Sequence, residues 1–322
     1  MTKSIEEIAS VHLGKAGDGT VVKPYVTPDT IDHTLLVAIP RHLNRVQYNI
    51  DDYDLPFVGF DSWNAYEVSF LTDNGYPVNC IAKIVYPANS ESIVESKSLK
   101  LYLNSYNMAR MGATIEDALF NARCAIELDL MNALRLEAQN VEVYLHDVRN
   151  DYHGDFYEYF DRPVRGNFKL LEDKISNLDE VSFQDLNEDP SILKVNATTM
   201  LDTKSIEVWT PSLRSNCRVT NQPDWGNVYI YMRKREFLPS YESLLKYIVS
   251  MRRENHFHEE ICECIYKRLL DAFNPLELFV ACLYTRRGGI DINPVRASHT
   301  HLLNKASGLA NTTLVTEKTM RQ

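Results

Sequence analysis

The sequence predicts an α+β chain made of two tandem units, each an antiparallel sheet with two helices packed on one face. Three observations lead there. The order hairpin, two helices, strand can be read twice along the chain, although the halves share no evident sequence identity. The length, 322 residues, suits two domains. Hydrophobic residues make up 44% and charged residues 24%, the composition of a globular chain able to bury a sizeable core.

Residues 1–60 are irregular and carry Pro24, Pro28, Pro40 and Pro56, which reads as an extended arm with short elements. The runs SWNAYEVSFL (62–71) and PVNCIAKIVYP (77–87) flank the Asn-Gly turn DNGYP and form a β-hairpin. Helices are expected over 98–110 and 115–136. The second has a near-capping box in Thr114 and Asp117, and Ile115, Ala118, Leu119, Ala122, Ile126, Leu130 and Leu134 at helical spacing. NVEVYLHDV (140–148) alternates as a strand. The segment 149–204, acidic and without apolar periodicity, reads as a linker or insertion, which makes 1–148 the first unit.

The second unit spans 205–302. Residues 205–220 read as a strand, QPDWGN (222–227) as a turn and VYIYMR (228–233) as the partner strand. A helix is expected from Pro239 to Arg252, proline being tolerated in a first turn, with Leu244, Leu245, Ile248 and Val249 on its apolar face. Another follows Asn255, a good N-cap residue, and runs to about Phe273. LELFVACLYTR (276–286) is a strand, and 303–322 a polar tail.

The net charge is −10 and the pI about 5.4. Phosphate backbones select for basic surfaces, so a direct nucleic-acid partner is not expected. The six cysteines are scattered, unlike a secreted disulfide framework. The N-terminus MTKSIEEIASVHLGK lacks the apolar core of a signal peptide, and no apolar run approaches the ~18 residues of a membrane span. A reduced, cytoplasmic protein without membrane attachment is the expectation.

Four segments carry chemistry. In the first, SNC through PDWG (215–226), Cys217 lies near a strand end with Asp224 across a short turn. A thiol beside an acid can attack an electrophilic carbon while the acid moves the proton. The same pattern fits a structural cysteine beside a turn-forming Pro-Asp. In the second, VESKSLKLY (94–102), Glu95, Lys97 and Lys100 stand near a helix start, where free N–H groups and ammonium groups suit anions. A solvated helix face would look alike.

The third is His256-Phe257-His258-Glu259-Glu260, at the start of a helix. A carboxylate there can accept the paired donors of a guanine-like edge, or merely complement the helix dipole. Cys262 and Cys264 point to different sides of that helix, so His256, His258 and the two cysteines make a poor metal set. The fourth, TRRGGIDINP (285–294), places arginines before glycines, as phosphate binding requires, but carries no dinucleotide fingerprint; a strand-ending turn is the alternative.

Taken in order, ESKSLKLYLNS, SNC…QPDWG, FHE and YTRRGGIDINP resemble the NADPH-dependent 7-cyano-7-deazaguanine reductases of queuosine biosynthesis, in their long two-module form. PRHLNR (40–45) and the strand around Trp63 add to the likeness, which covers about 30–149 and 205–297. The resemblance implies tandem tunnelling-fold modules and a homodimer. It implies that Cys217 adds to the nitrile carbon as a covalent thioimide with Asp224 as proton donor and relay. Val94, Glu95, Ser96, His258 and Glu259 would hold a free 7-deazapurine base. Ser96, Lys97, Arg287 and Gly288 would contact NADPH. Two hydride transfers would take the nitrile to the primary amine. Where the family continues INPWRS, this chain has Asn293-Pro294-Val295-Arg296-Ala297-Ser298, a departure expected to touch packing near the cofactor.

Three rivals share parts of this pattern. An amidine-forming relative acting on tRNA would keep Cys217 and Asp224 but want a basic face. A cyclohydrolase of related fold would need zinc ligands. A non-catalytic deazapurine-binding protein would form no adduct.

Overall fold

The computed structural model describes residues 28, 30–136, 140–149, 166–195 and 203–315. The start of the expected arm, the middle of the acidic segment and the end of the tail lie outside these. The first half runs β1 (Ala38–Pro40), α1 (His42–Arg45), β2 (Val58–Leu71), β3 (Pro77–Pro87), β4 (Ser92–Val94), α2 (Ser96–Asn104), α3 (Ile115–Leu134) and β5 (Glu142–Asp147). The short β6 (Lys169–Leu170) precedes β7 (Ser205–Asn216), β8 (Pro223–Arg233), α4 (Tyr241–Ser250), α5 (His258–Phe273), β9 (Glu277–Tyr284) and β10 (Ile290–Ala297). Among the described residues no helix is long and apolar enough to cross a membrane.

The repeated order is present, and the two units share one sheet. Its strands lie in the order β5-β3-β2-β10-β9-β8-β7-β6, antiparallel except for β6 against β7. The seam is β10 on β2, in register from Ile290↔Ala65 to Ala297↔Val58. The separate pair β1–β4 brings residues 38–40 against 92–94.

Side-chain alternation sorts the sheet into two faces. Val208, Val228, Ile230, Val280 and Cys282 meet α4 and α5 in one core cluster. Trp63, Ala65, Ala82 and Ile84 meet α2 and α3 in another, where Ala118, Ala122, Ile126, Leu130 and Leu134 form the buried stripe of α3. The capping box of Thr114 and Asp117 starts that helix as expected. The opposite-parity residues Trp209, Tyr229, Phe279, Ala281 and Leu283 face the other way.

Several expectations change here. The acidic segment is part of the fold where it is described: β6 extends the sheet, Leu171 and Leu193 are buried, and Glu188 binds Arg268 at 3.0 Å. The polar tail contains Ala306, Leu309 and Ala310, which join Leu302 in a cluster buried on the face opposite the helices. Three apolar residues within five positions gave too little periodicity to register. β8 begins at Pro223, so the turn is 217–222, with Asn221 at φ 54°. Proline is tolerated as a first strand residue. α4 begins at Tyr241 behind the N-cap Ser240, whose hydroxyl accepts from Ser243 N at 3.1 Å, and Pro239 stands outside the helix.

β10 was concealed by Pro294, which argues against a central strand. Pairing with β9 begins only at Val295↔Ala281, one residue beyond the proline, so its missing N–H interrupts no ladder on that side. Even-numbered residues of β10 face the helices and odd-numbered ones the opposite side. Val295 and Ala297, where the chain departs from the family pattern, therefore pack beneath residues 302–310. They do not lie beside the expected cofactor contacts.

A buried ionic network fixes α1 and α5 against the seam. Arg296 of β10 binds Asp61 of β2 at 2.8 Å and Glu263 of α5 at 2.9 Å. Arg45 binds Glu263 at 2.8 Å, and Arg41 pairs with Asp61. All five side chains are almost fully buried, so each charge depends on its partners.

Candidate active site

Cys217 is the first residue beyond the β7–β8 ladder, which ends at Asn216↔Pro223. Its N–H donates to Gln222 O at 2.8 Å and its carbonyl accepts from Asn221 N at 2.9 Å, closing a tight loop. Asp224 returns on β8 opposite Ser215, so the hairpin geometry brings the acid back towards the thiol. Lys97 Nζ, from α2 of the other half, lies 3.8 Å from the Cys217 sulfur. Burial pushes this thiol up, but hydrogen bonds from Thr220, the Lys97 charge and the Val219 backbone outweigh it and hold the thiol below its usual value.

Asp224 is 3% exposed. One carboxylate oxygen pairs with Arg287 Nη1, and the other lies 3.4 Å from His258 Nε2. Burial alone would raise its pKa, but His258 and Arg287 together pull it below the ordinary aspartate value. The free site therefore holds Asp224 as a carboxylate. Arg287 Nη2 also donates to Gln222 Oε1 at 2.6 Å, and the His258 ring stacks on Tyr284 at 3.8 Å between centroids.

These groups line one cavity of about 440 Å³, within the range of small-molecule sites. Val94, Ser96, Lys97, Cys217, Asp224, His258, Glu259, Arg287 and Gly288 all face it, so the structure brings nine of the sequence-derived candidates together. Glu95 does not line it. That residue is 1% exposed and caps α2, its carboxylate accepting from Ser98 N at 2.7 Å.

Lys100, read from the sequence as a candidate anion contact, lines the cavity too, as do Trp63, Gln222, His256, Phe257, Ile290 and Ile292, which the sequence places in no ligand pocket. The two isoleucines belong to the strand hidden behind Pro294. Trp63 and Phe257 stand within motifs without a role, and His256 figures only as a member of a poor metal set. His256 sits between Glu254 and Glu260. Burial lowers its pKa, but hydrogen bonds to the two glutamates raise it to about 9.

At the inner wall, Glu259 is 2% exposed and its Oε1 has no hydrogen-bond partner among the described residues. Burial, followed by the nearby Asp61 charge, pushes this carboxyl well above the usual range. Nδ1 of His258 and Nε1 of Trp63 are likewise buried without a partner there. Such orphaned atoms at a cavity wall are acceptors and donors prepared for a polar ligand.

At the rim, Lys97, Lys100 and Arg287 supply cations, and Gly288 and Gly289 turn at φ +59° and +77°. A Cβ on Gly289 would lie 2.6 Å from Glu67, which itself binds Lys100 at 3.0 Å. Cations around close-approach backbone fit the phosphates of a dinucleotide. Among the described residues, no group of three or more His, Cys, Asp or Glu is placed to hold a metal ion.

Comparison with known proteins identifies the family of the chain. Residues 27–145 match the family described as nitrile reductase, 7-cyano-7-deazaguanine-reductase N-term, and residues 223–302 match the one described as QueF-like protein. The chain is 36% identical over 301 residues to the NADPH-dependent 7-cyano-7-deazaguanine reductase of Colwellia psychrerythraea, covering 91% of this chain and 93% of the relative. A solved structure of an archaeosine synthase QueF-Like in the apo form matches 29% of this chain at 20% identity. It covers 92% of that chain with a TM-score of 0.28, too slight a likeness to bear on the chemistry.

Proposed function

This chain belongs to the NADPH-dependent 7-cyano-7-deazaguanine reductases, and from that premise we propose which of its residues carry the reaction. The enzyme reduces the nitrile of 7-cyano-7-deazaguanine to the aminomethyl group, a four-electron change that consumes two NADPH. In our reading Cys217 bonds covalently to the nitrile carbon. The observation that carries this is the shared cavity: a thiol held below its usual pKa, a carboxylate on the neighbouring strand, and a buried acceptor, Glu259, at the far wall.

Glu259 and His258 hold the purine-like edge, with the backbone beside Val94 completing the wall. Glu259 faces paired N–H donors as an acceptor. The thiolate of Cys217 attacks the nitrile carbon. The sulfur–carbon bond forms as one C–N π bond opens, and the nitrogen takes a proton. Asp224, a carboxylate at rest, receives the proton the thiol gives up and returns it to that nitrogen, so relay is its first role and donation its second. Bound NADPH supplies the hydride. Ser96, Lys97, Arg287 and Gly288, which line the cavity, would hold the cofactor, and Lys97 also stabilises the free thiolate. The carbon–sulfur bond breaks between the two reductions, which frees Cys217 and releases an imine that is then reduced in the same pocket.

The cavity is walled by both halves, so neither tandem module holds the whole site. Two further parts of the reading rest on the family resemblance, a cytoplasmic setting and a homodimer. The product would enter queuosine biosynthesis as a free base.

Intact-protein mass spectrometry with the nitrile base and no NADPH tests the covalent step. The expected result is a mass increase equal to one base per chain, absent in Cys217→Ala, together with loss of NADPH oxidation in that variant. Reduction of the nitrile by Cys217→Ala overturns the mechanism.

A further inference from the structure

A second, much smaller cavity of about 10 Å³ lies behind Glu259, lined by Pro40, Arg41, Asn44, Ile93, Glu259, Glu260 and Glu263. It separates the base-binding wall from the buried ionic network. Asn44, in the middle of α1, is 1% exposed, and neither its amide nitrogen nor its carbonyl oxygen has a hydrogen-bond partner among the described residues. Glu259 lines the same cavity, and its Oε1 is unpartnered among the described residues as well. A buried amide left with all its hydrogen bonds unmade is costly, and so is a buried carboxylate oxygen. A space this size accommodates one water molecule, which needs two to four polar partners.

We propose that this cavity binds a single structural water that joins the Asn44 side chain to Glu259, making Asn44 a positioning residue for the carboxylate that recognises the base. The proposal rests on Glu259 being the base acceptor. Asn44 accepts from the water through Oδ1 or donates to it through Nδ2. The water then donates to Glu259, so one carboxylate oxygen is engaged from behind while the carboxylate faces the substrate edge. The arrangement fixes the plane of the carboxylate, which a bidentate donor pair requires. It also favours the ionised, accepting form of a group that burial pushes towards protonation.

The charges facing Glu259 come from several elements. Asp61 of β2 opposes its ionisation, while Arg41 beside α1 and Arg296 of β10 favour it. Tyr86 of β3 also lies within electrostatic reach, and Glu260 and Glu263 of α5 line the small cavity. Arg41 and Arg296 are engaged by Asp61 and Glu263. A neutral donor that spends no counter-charge is therefore what the site still lacks. A water held by an asparagine is such a donor.

The test measures the dissociation constant of 7-cyano-7-deazaguanine between pH 6 and 10, a window that brackets the Glu259 pKa of about 8, with KM for NADPH measured in parallel. Asn44→Leu keeps the volume and removes both polar atoms. Base affinity should fall about tenfold, the size of one hydrogen bond to a charged group, with KM for NADPH within twofold. The sign with pH is fixed. Affinity is lost as pH falls through the Glu259 pKa, and removing a donor raises that pKa, so in Asn44→Leu the loss should begin at higher pH. Asn44→Ser, whose hydroxyl can still hold a water and adds no charge beside Glu259, Glu260 and Glu263, should recover part of the affinity. If Asn44→Leu unfolds, Asn44→Ser serves as the polar but shortened variant. Unchanged base affinity and an unchanged acid limb in a folded Asn44 variant overturn the proposal. If Glu259→Gln also binds the base as tightly as the parent, the base-binding reading itself fails, a separate result.

Discussion

The ammonium of Lys97, in the first turn of α2, stands 3.8 Å from the sulfur of Cys217, the residue that closes the β7–β8 hairpin of the other half. A cation from one module thus joins Thr220 in holding the thiol of its tandem partner below its usual pKa, against burial. The distance is long for a hydrogen bond but short for Coulomb attraction in a partly buried site.

Replacing Lys97 with methionine removes one of the groups that depress the Cys217 pKa. Less thiolate is then present near neutral pH, and the half-point of the pH profile moves up. The rate of alkylation by iodoacetamide at pH 7, without cofactor, should fall roughly three- to tenfold, a tenfold loss corresponding to about 1.4 kcal/mol of lost thiolate stabilisation. An unchanged alkylation profile would mean that Thr220 and the loop backbone hold the thiol by themselves. Because NADPH is absent from this assay, a separate role of Lys97 at the cofactor does not affect it.

Asp224→Asn keeps the shape of the side chain but can neither take nor return a proton. The expected loss in kcat for NADPH oxidation is about 10²–10⁴. Lowering the pH should not restore activity, since no titrating group remains at that position. Cys217 alkylation should not fall, because Thr220 and Lys97 still hold the thiol and Arg287, which faces both Asp224 and Cys217, loses its competing carboxylate. A variant retaining more than a tenth of the parent kcat would remove Asp224 from the proton path.

The hairpins, the four long helices and most of the cavity wall were legible in the sequence for identifiable reasons. Asn-Gly turns, alternating β-branched runs and the stripe at Ala118, Ala122 and Ile126 are local patterns, and local patterns survive folding. What remained hidden depends on partners distant in sequence. β10 reads as a loop because Pro294 weakens any strand reading, yet its pairing with β2 begins at Ile290↔Ala65, 225 residues apart in number. Glu95 shows the opposite limit of sequence reading. It belongs to the string that carries the family resemblance, but its carboxylate is turned onto the N-terminus of α2. Asn44 gave no local signal, because an orphaned amide is recognisable only once the surrounding walls are in place.

Glu263 is the hub of the buried network, and its substitution should be among the most destabilising in the chain. Burial raises its pKa, but Arg296, Arg45 and Arg41 outweigh that and bring it down to about 2, against an ordinary value of 4.5. A carboxylate depressed in the folded state contributes stability that is complete above the unfolded value and lost as pH falls through the folded one. Glu263→Gln should cost about 3–5 kcal/mol near neutral pH, since it strands arginines that are fully buried. Measured by urea denaturation, the gap between parent and variant should narrow as pH falls from about 5 towards 2. A gap that is constant over that range would show that the cost is steric and not electrostatic.

Gly289 tests the cofactor rim without touching the thiol. Its φ of +77° is open to glycine and strained for alanine, and its carbonyl accepts from Tyr66 N at 2.8 Å, which anchors the turn to β2. An added Cβ would fall 2.6 Å from the Glu67 side chain. That carboxylate is exposed and flexible enough to swing aside, but it then releases Lys100. Gly289→Ala should therefore lower folding stability by about 1–2 kcal/mol, the cost of a left-handed alanine. It should also raise KM for NADPH several-fold as the cationic rim loses its arrangement. Base-dependent mass labelling of Cys217 should persist, because the inner wall at Glu259 and the β7–β8 hairpin lie on other elements. Loss of labelling together with cofactor affinity would show that the 286–290 turn supports the whole cavity and is no independent cofactor element.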